Sequence, residues 1–335
     1  MRRTAAGFIG FLVLLSLFLG TSELAAAPYY EGKIIRIIVG AGVGGGYDRM
    51  ARVVARNLPK YIPGKPAIVV DHLPGANGIV AANHLFNNEK PDGLTIEGAL
   101  RAIPFPQLLN AKAVKYDVRK FAWLGSMAEE AVVFAIRSEL PYKTLDDLRK
   151  AKGPIYMGVT GPQESTTQFA IFLKEFVRLN LNMVSYQSGN EAMMAIERKE
   201  VDARTGSYSS LKPLIERGVL IPLIRGRASD PEIDHLPVNE DLTNDKMGKT
   251  IMAMHSVVDR IGRPYVAPPG TPPKIVAILR EAFVKMAKDP AVQGESKKYM
   301  MKIKYAPAEE CVNVLNILFN QPDNVLKEFS KYVKF

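Results

Sequence analysis

One cysteine, Cys311, is all that 335 residues contain. An intramolecular disulfide framework and any multi-cysteine metal site are therefore excluded. The four histidines, His72, His84, His235 and His255, lie far apart and show no metal-ligand spacing. Catalytic signatures are missing too: there is no G-x-S-x-G, no H-E-x-x-H and no G-x-x-x-x-G-K. No zinc-finger or RNP-like pattern occurs and the basic residues are scattered, so no nucleic-acid partner is expected. Past the first 27 residues, no apolar run reaches the ~20 residues a membrane-spanning helix needs. Glycine (26) and proline (23) are near average, which excludes collagen-like and low-complexity chains.

What is present describes a globular protein, 47% hydrophobic and 23% charged, with a formal charge of +10. The surplus suits mild steering of a small anion or an acidic partner, and equally no function at all. Residues 1–27 read as a cleaved export signal. Arg2 and Arg3 precede an uncharged stretch with an apolar heart over 8–19, and Ala25, Ala26 and Ala27 suit a signal peptidase. No cysteine stands at that junction to carry a lipid. The mature chain is expected in the periplasm.

Glycine-bounded, β-branched runs alternate with helical periods along the rest. Residues 33–39 (KIIRIIV) read as a buried parallel strand, 48–58 as a helix, 67–70 (AIVV) as a strand, 79–86 as a helix and 94–96 as a strand. That βαβαβ order signals a parallel sheet flanked by helices. A second such run follows, with strands at 155–159, 182–186 and 201–205. Thr144 and Asp147 form a capping box ahead of it. Thr271 followed by Pro272 opens a late helix with a wide apolar stripe from Ile275 to Met286. The expected architecture is two α/β lobes.

Three sets of turns can hold a ligand. The first, residues 40–48, has five glycines in seven positions and includes Gly44, Gly45, Gly46, Tyr47 and Asp48. Glycines expose backbone N–H groups, and a helix start adds donors and partial positive charge, which suits a carboxylate or phosphate. Backbone angles alone also explain such a turn, and Asp48 can simply cap the helix. The second holds Gly75, Ala76, Asn77 and Gly78, with Asn77 as ligand contact or cap. Both turns should emerge at the carboxyl edge of one sheet, where α/β ligand crevices lie. The third set is Thr160, Gly161, Ser165 and Thr166 with Tyr186, Ser188, Gly189 and Asn190, after strands of the second run. Arg204 near a strand end can grip an anion bidentately or be solvated. These walls are rich in amide donors and poor in acids, bases and nucleophiles, so neither an enzyme nor a cofactor is expected. Gly40-x-Gly42-x-x-Gly45 followed by Asp71 leaves an NAD- or FAD-dependent Rossmann oxidoreductase as the alternative.

The order Gly44-Gly45-Gly46-Tyr47-Asp48, Pro74-Gly75-Ala76-Asn77-Gly78, Pro91-Asp92-Gly93-Leu94-Thr95 and Ala267-Pro268-Pro269-Gly270-Thr271-Pro272 resembles the Bug family. These are periplasmic solute-binding proteins, the receptors of tripartite tricarboxylate transporters. The resemblance implies a two-lobed periplasmic-binding-protein fold of type II-like form, with mixed, mainly parallel sheets and a cleft between lobes. It implies lobe 1 from 28–130 plus 260–335 and lobe 2 from 131–259. It further implies a monomer that closes on a small organic acid and hands it to membrane permease subunits, or the same fold as a sensory co-receptor. The two glycine turns would hold the carboxylate, and residues 160–166 and 186–190 its other end. Val43 stands where the family commonly has proline, and Tyr47 where it has a small polar residue. Tyr47 accordingly points to a larger or aromatic ligand.

Overall fold

The structure, a computed structural model, describes residues 27–335; the export signal expected over residues 1–27 lies outside them save for Ala27. In chain order the elements are β1 (Ile34–Val39), α1 (Gly46–Asn57), β2 (Ala67–His72), α2 (Ile79–Asn88), β3 (Thr95–Gly98), α3 (Pro104–Leu108), β4 (Ala122–Ser126) and β5 (Val132–Arg137). Then come α4 (Leu145–Arg149), β6 (Ile155–Val159), α5 (Ser165–Phe176), β7 (Leu181–Ser185), α6 (Gly189–Glu197), β8 (Ala203–Ser207), α7 (Tyr208–Glu216) and β9 (Leu220–Arg225). The last stretch holds α8 (Lys246–Ser256), β10 (Pro264–Ala267), α9 (Pro273–Lys288), α10 (Pro290–Lys298), α11 (Ala308–Phe319) and α12 (Asp323–Tyr332).

Two five-stranded sheets result, in the orders β2-β1-β3-β10-β4 and β7-β6-β8-β5-β9. The α/β, two-lobed expectation is met. In each sheet three parallel strands carry βα units, and one strand arriving from the other half inserts antiparallel beside them: β10 in the first, β5 in the second. The β-branched run of β1 is what a strand buried on both faces requires. Ile35 and Ile37 pack with Met50, Val53 and Val54 of α1 and with Leu279, Phe283 and Met286 of α9. Each such side chain contributes about 1.5–3 kcal/mol relative to exposure. The second sheet buries Phe134, Met157 and Ile224 under Phe169 and Leu173 of α5. Thr144 and Asp147 do form the capping box at α4.

The chain passes between the sheets at residues 127–131 and returns over 226–263, and the two crossings are stitched together. The Met127 amide donates to the Arg263 carbonyl at 2.9 Å, and the Glu130 amide to the Asp259 carbonyl at 2.8 Å. This approach requires glycine at 262, because a Cβ there would stand 2.2 Å from Glu130 Cγ and 2.8 Å from its backbone nitrogen. Beside the crossings, an aromatic contact joins the halves: Phe172 of α5 meets His255 of α8 edge-on, with centroids 5.1 Å apart, and His255 stacks on Phe105 of α3 at 5.5 Å. Burial, then Arg101, pushes the His255 pKa down to about 3. The neutral ring hydrogen-bonds Gln168 at 3.1 Å and Ser165 at 3.3 Å.

Candidate functional site

Both glycine turns leave the carboxyl ends of neighbouring strands, β1 and β2, and face the second sheet's loops. In the first, Asp48 is buried and serves the turn rather than the cleft. Its Oδ2 accepts from the Gly44 amide at 2.8 Å, and its Oδ1 pairs with Arg52 at 2.9 Å and His72 at 2.8 Å. Burial works against its charge, but Gly44, Arg52 and His72 outweigh burial and hold the carboxyl below its ordinary range. Because His72 ends β2, this one carboxylate fixes the first turn against the start of the second. Gly46, Tyr47 and Asp48 open α1, so their amides belong to the helical turn that lacks internal acceptors.

The second turn has four consecutive positive φ angles: Gly75 (148°), Ala76 (43°), Asn77 (52°) and Gly78 (88°). Left-handed backbone of this kind costs an alanine about 1–2 kcal/mol and gathers at ligand-binding segments. Replacing Ala76 by glycine should raise the urea midpoint slightly. Relief of that strain exceeds the roughly 0.5–1 kcal/mol of added unfolded-chain freedom; a lowered midpoint would instead mark the methyl as a needed contact. From the same turn the Asn77 side chain crosses the cleft and donates to the Gln163 carbonyl at 2.7 Å. A Cβ on Gly44 would stand 3.4 Å from the Asn190 side-chain nitrogen, and one on Gly46 3.3 Å from Ser210 Oγ. The lobes are thus closed, with both turns against the starts of α5, α6 and α7.

The third set meets the first two, but most of its hydroxyls are occupied. Thr160 (3.0 Å) and Thr166 both donate to the Glu164 carboxylate, Ser165 sits against His255, and Ser188 caps α6 by accepting from the Glu191 amide at 3.2 Å. Gly161 accepts from the Glu164 amide at 3.1 Å inside its own turn. The Tyr186 phenol, expected at the ligand's other end, lies with Glu200 and Arg198 beyond the carboxyl end of α6; burial, then Glu200, raises its pKa. Gly189 and Asn190 remain at the cleft, and Arg204 lies beside them. Buried hydroxyls find internal partners, so the donors left to a ligand are chiefly main-chain amides and charged groups.

Four charged residues escaped the sequence reading. Arg101 Nε lies 2.7 Å from Asp259 Oδ1, and Arg263 Nη2 3.1 Å from Glu130 Oε1, all four at most 4% exposed. Burial pushes Asp259 up to about 7 against the pull of Arg101. These pairs sit at the crossings behind the first turn: the Arg101 amide donates to the Tyr47 hydroxyl at 3.0 Å, and the Arg263 guanidinium covers the Tyr47 ring at 4.3 Å. Tyr47 is therefore held in place by the protein, through its hydroxyl oxygen and one face of its ring. One signal could have exposed Arg101, its place just past the carboxyl end of a strand. Glu164, directly before the first residue of α5, could be found in the same way. A cavity of about 520 Å³ opens beside the crossings, lined by Glu130, Ser209, Lys212, Asp230, Lys302 and others. Its Lys212 pairs with Glu232 and its Lys302 with Asp230, so those charges are already satisfied.

The glycine fingerprint at 40–45 opens no Rossmann domain. The sheet order carries an antiparallel β10, and Asp71, which would hold a ribose, faces Arg36 at 3.7 Å.

Comparison with known proteins agrees with this geometry. A protein of Cupriavidus necator, described as the UPF0065 protein in the gbd 5′ region, is 25% identical over 292 residues, 85% of this chain and 84% of that one. The periplasmic binding protein BugD superposes with a TM-score of 0.72 at 18% identity, covering 90% of this chain and 98% of its own. MatC of Rhodopseudomonas palustris, solved with bound malate, superposes at 0.68 and 16% identity over 88% of this chain and 99% of its own. The family model described as the tripartite tricarboxylate transporter family receptor matches residues 50–329. With that match spanning most of its length, two lobes shut on paired amide-rich turns and a receptor family rather than an enzyme family behind it, the chain belongs to the tripartite tricarboxylate transporter receptors, the Bug-type binding proteins.

Proposed function

We propose that the protein is an extracytoplasmic receptor that captures a small organic carboxylate between its lobes and, as a monomer, delivers it to a membrane permease of the tripartite type. The observation that carries this reading is the closed juxtaposition of the two lobe 1 turns with the lobe 2 loops, sealed by the Asn77–Gln163 hydrogen bond. Amides of Gly45–Asp48 and of Gly75–Asn77 grip the acid group, those of Gly44 and Gly78 being taken by Asp48 and the Gly75 carbonyl. The residues at Gly161, Gly189, Asn190 and Arg204 face its far end. Malate bound to MatC supports the ligand class, and the export-signal pattern of residues 1–27 supports the periplasm. Closure excludes water, and the ligand selects the closed state by its greater affinity for it.

Isothermal calorimetry of residues 28–335 against malate, succinate, adipate and citrate tests the reading. At least one acid should bind, and at one hundred times its Kd it should add about 2.7 kcal/mol of stability. Silence toward every acid, with clear binding of a sugar, would overturn it. Delivery is tested by uptake of the same acid in cells with and without the receptor.

A further inference from the structure

Helix α5 carries two apolar stripes, each with its members four residues apart, so each keeps to one face. Phe169 and Leu173 belong to the core of the second sheet. Phe172 and Phe176 instead join the core on one face of the first sheet, with Phe105 of α3 and with Phe329 and Tyr332 of α12. Phe105, Phe172 and Phe329 have no exposure. Between ring centroids, Phe329 lies 5.3 Å from Phe105 and 6.3 Å from Phe172, and Tyr332 meets Phe172 at 6.3 Å and Phe176 at 5.1 Å, both edge-on. Helix α8 closes the remaining side. Its Gly248 lets the Phe176 ring lie on the helix backbone, since a Cβ there would stand 2.5 Å from that ring. Contacts between the halves at the cleft and its flank are of another kind. The Asn77–Gln163 hydrogen bond and the Lys302–Asp230 pair at 3.3 Å are polar, and that lysine is 56% exposed.

We infer that α12 and the carboxyl-terminal half of α5 form a dry joint, a third and non-covalent connection between the halves beside the two chain crossings, which stays shut while the cleft opens. Parting the halves there would return the Phe172 and Phe329 rings to water. Parting them at the polar contacts only exchanges hydrogen bonds within the protein for hydrogen bonds with water, at small net cost. The second sheet therefore swings about the joint, with no more than small sliding between the packed helices. A contact kept in both the open and the closed state cannot bias the equilibrium between them. The C-terminal helix accordingly contributes to stability and not to affinity. This rests on the receptor reading and adds to it which side of the molecule moves.

The test measures distances by pulsed EPR in the ligand-free mature chain, with spin labels in two pairs. Val43→Cys with Met194→Cys spans the cleft, and Lys174→Cys with Ser330→Cys spans the joint. All four positions are exposed, whereas Cys311 is fully buried and stays unlabelled. The cleft pair should show a distance longer and broader than the closed structure sets, and the joint pair a single narrow peak at the closed distance. Lengthening of the joint pair overturns the inference and leaves the receptor reading intact. Closed distances for both pairs, in a protein that never opens, remove both readings together. A second measurement separates a joint from a latch made only on closing. Tyr332→Ala, which loses two aromatic contacts with α5, should lower the melting midpoint by about 5 °C and leave the Kd of an acid found by calorimetry within about twofold of wild type. A greater loss of affinity, toward the tenfold that two such contacts are worth at about 0.7 kcal/mol each, would mark a latch and overturn the inference. An unchanged midpoint would overturn it as well.

Discussion

Glu130→Gln should destabilise the folded protein by about 3–5 kcal/mol, because it leaves the Arg263 guanidinium buried without its counter-charge. Both side chains are 3% exposed, and the Ser209 hydroxyl also donates to Glu130 at 3.1 Å. At roughly 2–4 °C per kcal/mol for chains of this size, the melting midpoint should fall by about 10 °C. Replacing both partners with apolar residues of similar volume should restore most of the loss, since a buried pair gains little over well-packed hydrocarbon. Calorimetric scans of wild type, the single and the double variant decide the matter. A single variant that melts within 2–3 °C of wild type would mean that water reaches the pair.

Glu97→Leu should stabilise the protein and flatten its response to alkali. Glu97 lies on β3 with no exposure, and neither carboxyl oxygen has a hydrogen-bond partner. Burial pushes its pKa up to about 8, so the folded state keeps a proton that the unfolded chain releases near pH 4.5. That contribution is complete below the unfolded value and is lost as pH rises through the folded one. His255, held near 3, contributes in the opposite sense but changes only below about 6.5, and Asp259, near 7, is nearly spent above that. Between pH 7 and 8.5 the wild type should therefore lose about 1 kcal/mol through Glu97. The leucine variant should show no such loss and should gain about 1–3 kcal/mol at neutral pH by removing an unpaired polar group. Urea titrations at pH 7, 7.75 and 8.5 measure both effects. Parallel curves for the two proteins would show that the carboxyl has a partner, such as a buried water.

The parts of the fold that depend on local pattern were legible. The β-branched runs at 34–39 and 67–70 and the glycines after them announce strands, turns and helix starts without reference to anything distant. Residues 122–137 hold β4 and β5, which belong to different sheets. Hydrophobic burial on both sides of residues 127–131 hides the crossing, because nothing there resembles a linker. Residues 226–263 gave no pattern, and their helix α8 is held by Phe105, Phe172 and Phe329, which are distant in sequence. The site divides similarly. Its glycine turns were readable because backbone chemistry is local. The direction of each hydroxyl was not, because the folded loop turns Thr160 and Thr166 onto Glu164, while Ser165 and Tyr186 answer to His255 and Glu200 on other parts of the chain. Arg101, Glu130, Asp259 and Arg263 look like ordinary solvated charges in the sequence, and only the meeting of the two crossings makes them pairs.

The insertion of β10 also orders events during synthesis. β4 has β10 as its only strand neighbour in its sheet, so the half of the molecule made first is not complete when it leaves the ribosome. All five strands of the later-made sheet exist once residue 225 has emerged, whereas the earlier one must wait for residue 267. A nascent chain therefore carries its amino-terminal third as an unfinished layer until nearly the end of translation, which keeps that portion threadable for any secretion machinery that accepts only unfolded polypeptide.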